Sequence, residues 1–121
     1  MQRGDRVSLT VGEHVFAGDL LAARGDLALV EIGDARVAVN VAAIDVVSLQ
    51  RHGGGVSGDR TYGSLRAYLG MLEVEGIAAR FLGDRFDTRG RVLAVATDHV
   101  LVAVPGGEQA IPLSAIGAAI T

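Results

Sequence analysis

The sequence predicts an all-β protein with one helix, organised as two small five-stranded barrels that are related by internal duplication. The stretch Gly18–Ser48 aligns without a gap on Gly90–Ile120, at an offset of 72 positions. Nine of the 31 aligned positions are identical and the apolar pattern is kept, which is typical of a repeated structural unit. Within each copy, short alternating apolar runs are separated by turn residues, which is the pattern of half-buried strands.

The first unit contains signals for five strands. Val7, Leu9 and Val11 alternate with polar residues and predict the first strand, which starts at Asp5. The second strand carries Gly18 in its middle, and an interior glycine predicts a bulge or a sharp bend. The strands are separated by predicted turns at Gly12–His14, Arg24–Asp26 and Gly33–Asp34, and by a 3₁₀ turn at Ala42–Ile44 before a last strand at Asp45–Leu49.

A glycine-rich linker and a helix follow. Residues 51–59 contain four glycines among polar residues, which is typical of a flexible connection. An apolar face at helical spacing then predicts a helix over Thr61–Glu73, capped by Asp59 or Thr61. We expect Leu65 and Leu69 on that face to anchor the helix on the second barrel. The predicted domains are therefore 1–50, the linker 51–59, and 60–121.

The second unit repeats the order of the first. A strand with Ile77, Ala79 and Phe81 leads through a turn at Gly83–Asp84 into the repeated block. Its later hairpin is predicted at Pro105–Gly107. Pro112 is expected to end the fourth strand, at the position that Asn40 occupies in the first unit.

This order of elements resembles the Sm and Sm-like (LSM) fold, a small barrel of the Src-homology-3-like kind. The residues that carry the resemblance are Gly18-Asp19-Leu20 with Gly90-Arg91-Val92, then Asp26 with Asp98, and Ala43-Ile44 with Ala115-Ile116. The chain is also similar to duplicated proteins of GC-rich bacteria, through the segments 60–65 and 112–116. Some of those proteins have been labelled transcriptional regulators. A bacterial source also fits the basic residues, all 11 of which are Arg.

Composition favours a cytoplasmic globular protein. The apolar runs are shorter than the roughly 18 residues that span a bilayer, and no basic-then-apolar leader precedes a cleavage site. We therefore expect no membrane association. The absence of Cys excludes disulfides and thiolate metal sites.

Nucleic-acid binding is the runner-up function, implied by the Sm resemblance. The family's base-reading Asn falls on Val30 and Val102, and its second RNA-binding loop contains no cation here. The net charge of −3 also disfavours contact with phosphates. The candidate contacts are Arg80, Arg85, Arg89 and Arg91, although Asp84 and Asp87 among them predict a solvated, mutually paired strand face instead.

The sequence indicates no enzyme. Asp26 and Asp98 recur at one turn and could form a paired ligand site, but an Asp that fixes a turn by bonding backbone amides is the preferred interpretation. The Asp98-His99 pair lacks a third catalytic group. His14 and His52 lack metal-ligand spacing, and neither a nucleophile motif nor a phosphate loop is found. We expect no catalytic residue, cofactor or metal.

The leading hypothesis is a non-catalytic binding or assembly module whose partner is protein. The fourth and fifth strands of each unit carry few charges and are open edges, which associate unless they are covered. We expect a homo-oligomer, tight packing between the barrels, or both. A small-molecule sensor is a third possibility, without a specific signal. The candidate association residues are Val37, Val39, Val41, Val47, Ile111, Leu113 and Ile120.

Overall fold

The computed structural model describes residues 4–50 and 62–121, so the predicted linker and the predicted caps Asp59 and Thr61 lie outside the described residues. The described chain is mostly β, with one helix, as predicted. The helix is α1 (Leu65–Glu75), and short 3₁₀ turns occupy Val41–Ala43 and Leu113–Ala115. The strands are β1 (Arg6–Val11), β2 (His14–Arg24), β3 (Leu27–Ile32), β4 (Ala35–Asn40), β5 (Val46–Gln50), β6 (Ala78–Leu82), β7 (Asp87–Val95), β8 (His99–Val104), β9 (Gly107–Pro112) and β10 (Ala118–Ile120).

The strands form one antiparallel sheet whose two halves have the same order. The sequence of neighbours is β5-β1-β2-β3-β4-β10-β6-β7-β8-β9. In each half, the fifth strand of the repeat pairs with the first. The first then pairs with the second, the second with the third, and the third with the fourth. The halves join where β4 pairs with β10, with Val37, Ala38 and Val39 opposite Ile120, Ala119 and Ala118. We call this pairing the seam.

The interior glycine of the second strand is required by a close approach between backbones. A Cβ atom on Gly18 would collide with the carbonyl oxygen of Glu31 on β3, and one on Gly90 would collide with that of Ala103 on β8. The bulge itself comes later, between Leu20 and Ala22 in the first half. Gly18 therefore does not mark the bulged position; it lets β2 pass over β3 just before the bulge.

Helix α1 begins four residues later than predicted because Ser64 is its cap. The Ser64 Oγ accepts a hydrogen bond from the Ala67 backbone N–H at 3.0 Å, which satisfies one of the first-turn amides. The helix ends at Gly76, whose φ of 66° lies in the left-handed region that favours glycine.

Two apolar clusters form the core, and α1 contributes to the larger one. The smaller cluster lies mainly inside the first half and includes Leu9, Leu20 and Val30. The larger cluster combines the helix side chains Leu65, Tyr68, Leu69 and Leu72 with interior residues of the second half such as Phe81. It also includes first-half residues of β2, β3 and β4. The helix therefore packs on both halves and not only on the second.

Candidate association edges

The seam shows how a fourth strand and a fifth strand of this chain meet. Its strands contain three of the predicted association residues, Val37, Val39 and Ile120. Next to the pair Val37 and Ile120, the backbones of Arg36 and Thr121 exchange two hydrogen bonds of 3.1 and 2.9 Å. Continuous pairing of this kind leaves neither strand exposed as an edge.

Asn40 fastens the other end of the seam. Its backbone N–H donates to the Gly117 carbonyl at 2.9 Å, and its side-chain Nδ2 donates to the Ile116 carbonyl at 3.0 Å. Its Oδ1 accepts from the Ala42 N–H at 3.1 Å and so starts the 3₁₀ turn. Asn40 is only 6% exposed, and a buried amide with all these partners both stabilises and positions the junction.

The sequence interpretation missed Asn40. The available signal was its position: a polar side chain ends an otherwise apolar strand, and the equivalent residue in the second repeat is Pro112. Proline has no backbone N–H to donate, and no side-chain cap is formed at Pro112.

In the described part of the chain, β5 and β9 form the two outer edges of the sheet. Val46 and Val47 on β5 are 55% and 43% exposed, whereas the equivalent residues Ala118 and Ala119 are fully buried at the seam. On β9, Ile111 is buried and the rest of the strand is exposed. Of the predicted association residues, Val47 and Ile111 thus lie on outer strands.

The remaining two predicted association residues lie in neither kind of strand. Val41 and Leu113 begin the 3₁₀ turns that follow β4 and β9. Strand β4 ends at Asn40, whose side chain caps the turn that Val41 begins. Both residues lie just past the edge strands, and their backbone N–H groups donate to the carbonyls of Asp26 and Asp98 at 2.9 Å.

The candidate arginine surface is partly paired. Arg80 on β6 donates through Nε to Asp87 Oδ1 at 2.8 Å, and this hydrogen bond lowers the pKa of the Asp87 carboxyl. Arg89 lies opposite Arg80 on β7 and, like Arg91, is exposed. Arg85 lies in the turn between β6 and β7. The structure thus brings Arg80 and Arg89 side by side and neutralises the first of them with Asp87.

Asp26 and Asp98 have different hydrogen-bond partners. The Asp26 Oδ1 accepts a hydrogen bond from the Leu65 backbone N–H at 2.8 Å, and so binds the start of α1 from the other half of the chain. Asp98 contacts the neighbouring His99 Nδ1 at 2.8 Å, a bond that lowers the pKa of the Asp98 carboxyl. Asp26 thus bonds a backbone amide as expected of a turn Asp, but that amide belongs to a distant helix.

The other candidate polar groups are dispersed. Among residues 4–50 and 62–121, no group of three or more His, Asp or Glu side chains is placed to hold a metal ion. His14 stacks on Phe16 with ring centroids 6.1 Å apart, and His52 lies outside the described residues. No helix in this part of the chain is long and apolar enough to cross a membrane.

An open cavity of about 610 Å³ lies beside the seam. Apolar side chains from both halves line it, including Phe16, Leu82 and Phe86. Its polar lining combines Glu13 and Asp84 with Arg85. This mixture of charges selects no particular class of ligand.

Comparison of the chain with protein-family models and with the sequences of curated proteins finds no match.

Proposed function

We propose that the chain is a non-catalytic assembly module of two tandem Sm-like barrels, which associates with further copies of itself through β5 and β9. The observation that supports the proposal is the pairing of β4 with β10 inside the chain. The strands equivalent to that pair are β9 and β5, and they occupy the two opposite edges of the same sheet. The shared strand order, interior glycine and bulge of the two halves support the assignment of two Sm-like barrels.

The seam predicts the register of the contact between copies. Shifting each residue by the 72-position offset of the repeat places Val46 opposite Ile111 of the next copy, Val47 opposite Ala110, and Ser48 opposite Gln109. Such pairing would cover the exposed valines of β5 and satisfy the backbone groups of both edges.

The contact is head-to-tail, because different strands of the two copies meet. A head-to-tail contact produces a closed ring when the rotation that relates neighbouring copies is an integral fraction of a full turn. Otherwise it produces an open filament. It is also weaker than the seam. Pro112 supplies neither the backbone donor nor the side-chain amide of Asn40, so two hydrogen bonds of the seam have no equivalent.

Paired charge variants test the contact. Analytical ultracentrifugation of the full chain, from micromolar to near-millimolar concentration, should show a sedimentation coefficient that rises with concentration. The variant Val47→Glu with Ala110→Glu places like charges opposite each other and should remain monomeric. The matched control Val47→Arg with Ala110→Glu places opposite charges there and should associate.

Both altered positions are exposed, so all variants should keep the melting temperature of the wild type. A wild-type chain that stays monomeric over the whole range refutes the proposal. Unchanged association of the double-glutamate variant also refutes it.

Nucleic-acid binding is the alternative that the Sm resemblance implies. The pairing of Arg80 with Asp87 removes one of its four candidate cations from the open surface. Fluorescence anisotropy with labelled oligo-U, oligo-A and duplex DNA at two salt concentrations separates the hypotheses, because phosphate contacts are salt-dependent. We expect no dissociation constant below about 10⁻⁵ M at physiological salt.

A further inference from the structure

A row of apolar residues crosses the outer side of the first half and is buried. Ala22, Leu29 and Ala38 lie side by side on β2, β3 and β4. These three residues and the neighbouring Leu21 belong to the same cluster as the leucines of α1. Asp26 holds the start of α1 there, and the helix packs between β4 of the first half and β7 of the second.

The second half presents the same residues, and most of them are exposed although α1 also packs on β7. Ala94, Leu101 and Ala110 lie side by side on β7, β8 and β9. With Leu93 they are identical in type to their four counterparts in the first half. We call these four residues the second outer face. Leu93 is 39% exposed, whereas its equivalent Leu21 is buried.

Charged residues lie at both ends of the second outer face. Asp98 is equivalent to Asp26, which binds the first amide of α1, and the Asp98 side chain is 87% exposed. At the other end, Glu108 is equivalent to Arg36, which lines a groove together with Glu75 from the last turn of α1. The charge at that end is therefore reversed between the halves, while the apolar residues are kept.

We propose that the second outer face docks an amphipathic helix of a partner protein, with its N-terminal amides at Asp98 and a basic residue of its last turn at Glu108. The apolar stripe of such a helix would cover Leu93 and Leu101, whereas Leu21 and Leu29 are buried in the cluster that contains the leucines of α1. A carboxylate at the positive end of a helix and a cation at its negative end both favour this direction. The α1 helix of a second copy fits poorly, because its last turn carries Glu73 and Glu75.

Two synthetic peptides test the docking of the helix. Both contain the sequence of residues 62–77 with Gly70→Ala, a change that favours the helix and meets open space in the folded chain. One peptide also carries Glu73→Arg and Glu75→Arg. Each has a dye at its C-terminus, and fluorescence anisotropy is measured as the full chain is added.

We expect saturable binding of the basic peptide, which carries the two arginines. The acidic peptide, which keeps Glu73 and Glu75, should bind at least about threefold more weakly. Leu93→Asp in the protein should weaken binding of the basic peptide at least tenfold, since it places a charge in the apolar contact. Glu108→Arg should reverse the preference between the peptides. Val15→Asp, at an exposed apolar position outside the face, should leave binding unchanged.

Binding that does not saturate refutes the proposal, as does equal binding to the wild type and to Leu93→Asp. If Leu93→Asp lowers the melting temperature, Ala94→Glu at the adjacent exposed position replaces it. Leu93 and Ala94 lie on β7, two strands away from the outer strand β9. The outcomes for Leu93→Asp and Ala94→Glu are therefore independent of whether copies of the chain associate through β9, whereas Glu108 lies on that strand.

Discussion

Replacing Asn40 with Ala should loosen the junction between the two halves. The substitution removes the donor to the Ile116 carbonyl and the acceptor for the Ala42 N–H. Ile116 is fully buried, and leaving a buried carbonyl without a partner costs about 1–3 kcal/mol. Loss of a capping side chain costs about 1 kcal/mol more. We therefore expect the free energy of unfolding to fall by about 2–4 kcal/mol.

Differential scanning calorimetry measures this loss. For a chain of this size, each kcal/mol lowers the melting temperature by about 4 °C, so Asn40→Ala should lower it by about 8–16 °C. Asn40→Asp keeps the acceptor and removes the donor, and should lose most of the same stability. The matched control is Pro112→Ala at the equivalent position, which removes no side-chain hydrogen bond and should change stability by about 1 kcal/mol or less. Equal losses for Asn40→Ala and Pro112→Ala would refute the role of Asn40.

Three further predictions concern the outer edge, the helix and the pH dependence. Pro112→Asn should tighten self-association about tenfold in sedimentation equilibrium by restoring two donors; weaker association would contradict the proposed register. Leu69→Ala should lower the free energy of unfolding in urea by about 2–5 kcal/mol, whereas Val74→Ala, at a position 84% exposed, should not. Burial raises the pKa of the Tyr68 hydroxyl above its ordinary 10.0. The stability contributed by neutral Tyr68 is therefore complete below about pH 10 and lost as pH rises through the folded-state pKa. Tyr68→Phe should flatten this alkaline decline in melting temperature; an unchanged slope would contradict it.

The strands and turns could be predicted from the sequence because both signals are local. Alternation of apolar residues indicated which face of β1 is buried, and glycines at the hairpins marked the ends of the strands. The start of the helix was harder to predict. Ser64 competes with Asp59 and Thr61 as a cap, and only the fold shows that Ser64 is used.

Which strands join the two halves could be determined only from the structure. Sequence alone could name β4 and β10 as open edges, but it could not say that they pair with each other. Asp26 illustrates the same limit, because its role depends on Leu65, which is 39 residues away in the chain. Contacts between distant residues leave no periodic signal. The duplication itself, however, identifies which residues to compare once one copy of a contact is known.

Differences between the repeats are concentrated where one half has a neighbour and the other does not. At the seam the chain has Asn40, Arg36 and Ala119; the equivalent positions at the outer edges hold Pro112, Glu108 and Val47. If β5 and β9 of neighbouring copies paired as β10 and β4 do at the seam, and with equal strength, we would expect the same residue types at these positions in both halves. Loss of the amide at Pro112 argues for a weaker, reversible contact between copies. Reversal of charge at Glu108 argues that a helix docked on the second half differs from α1 in its last turn. Retention of Leu93, Ala94, Leu101 and Ala110 argues that the apolar contact itself is the same, because the exposed Leu93 stabilises little within a single chain.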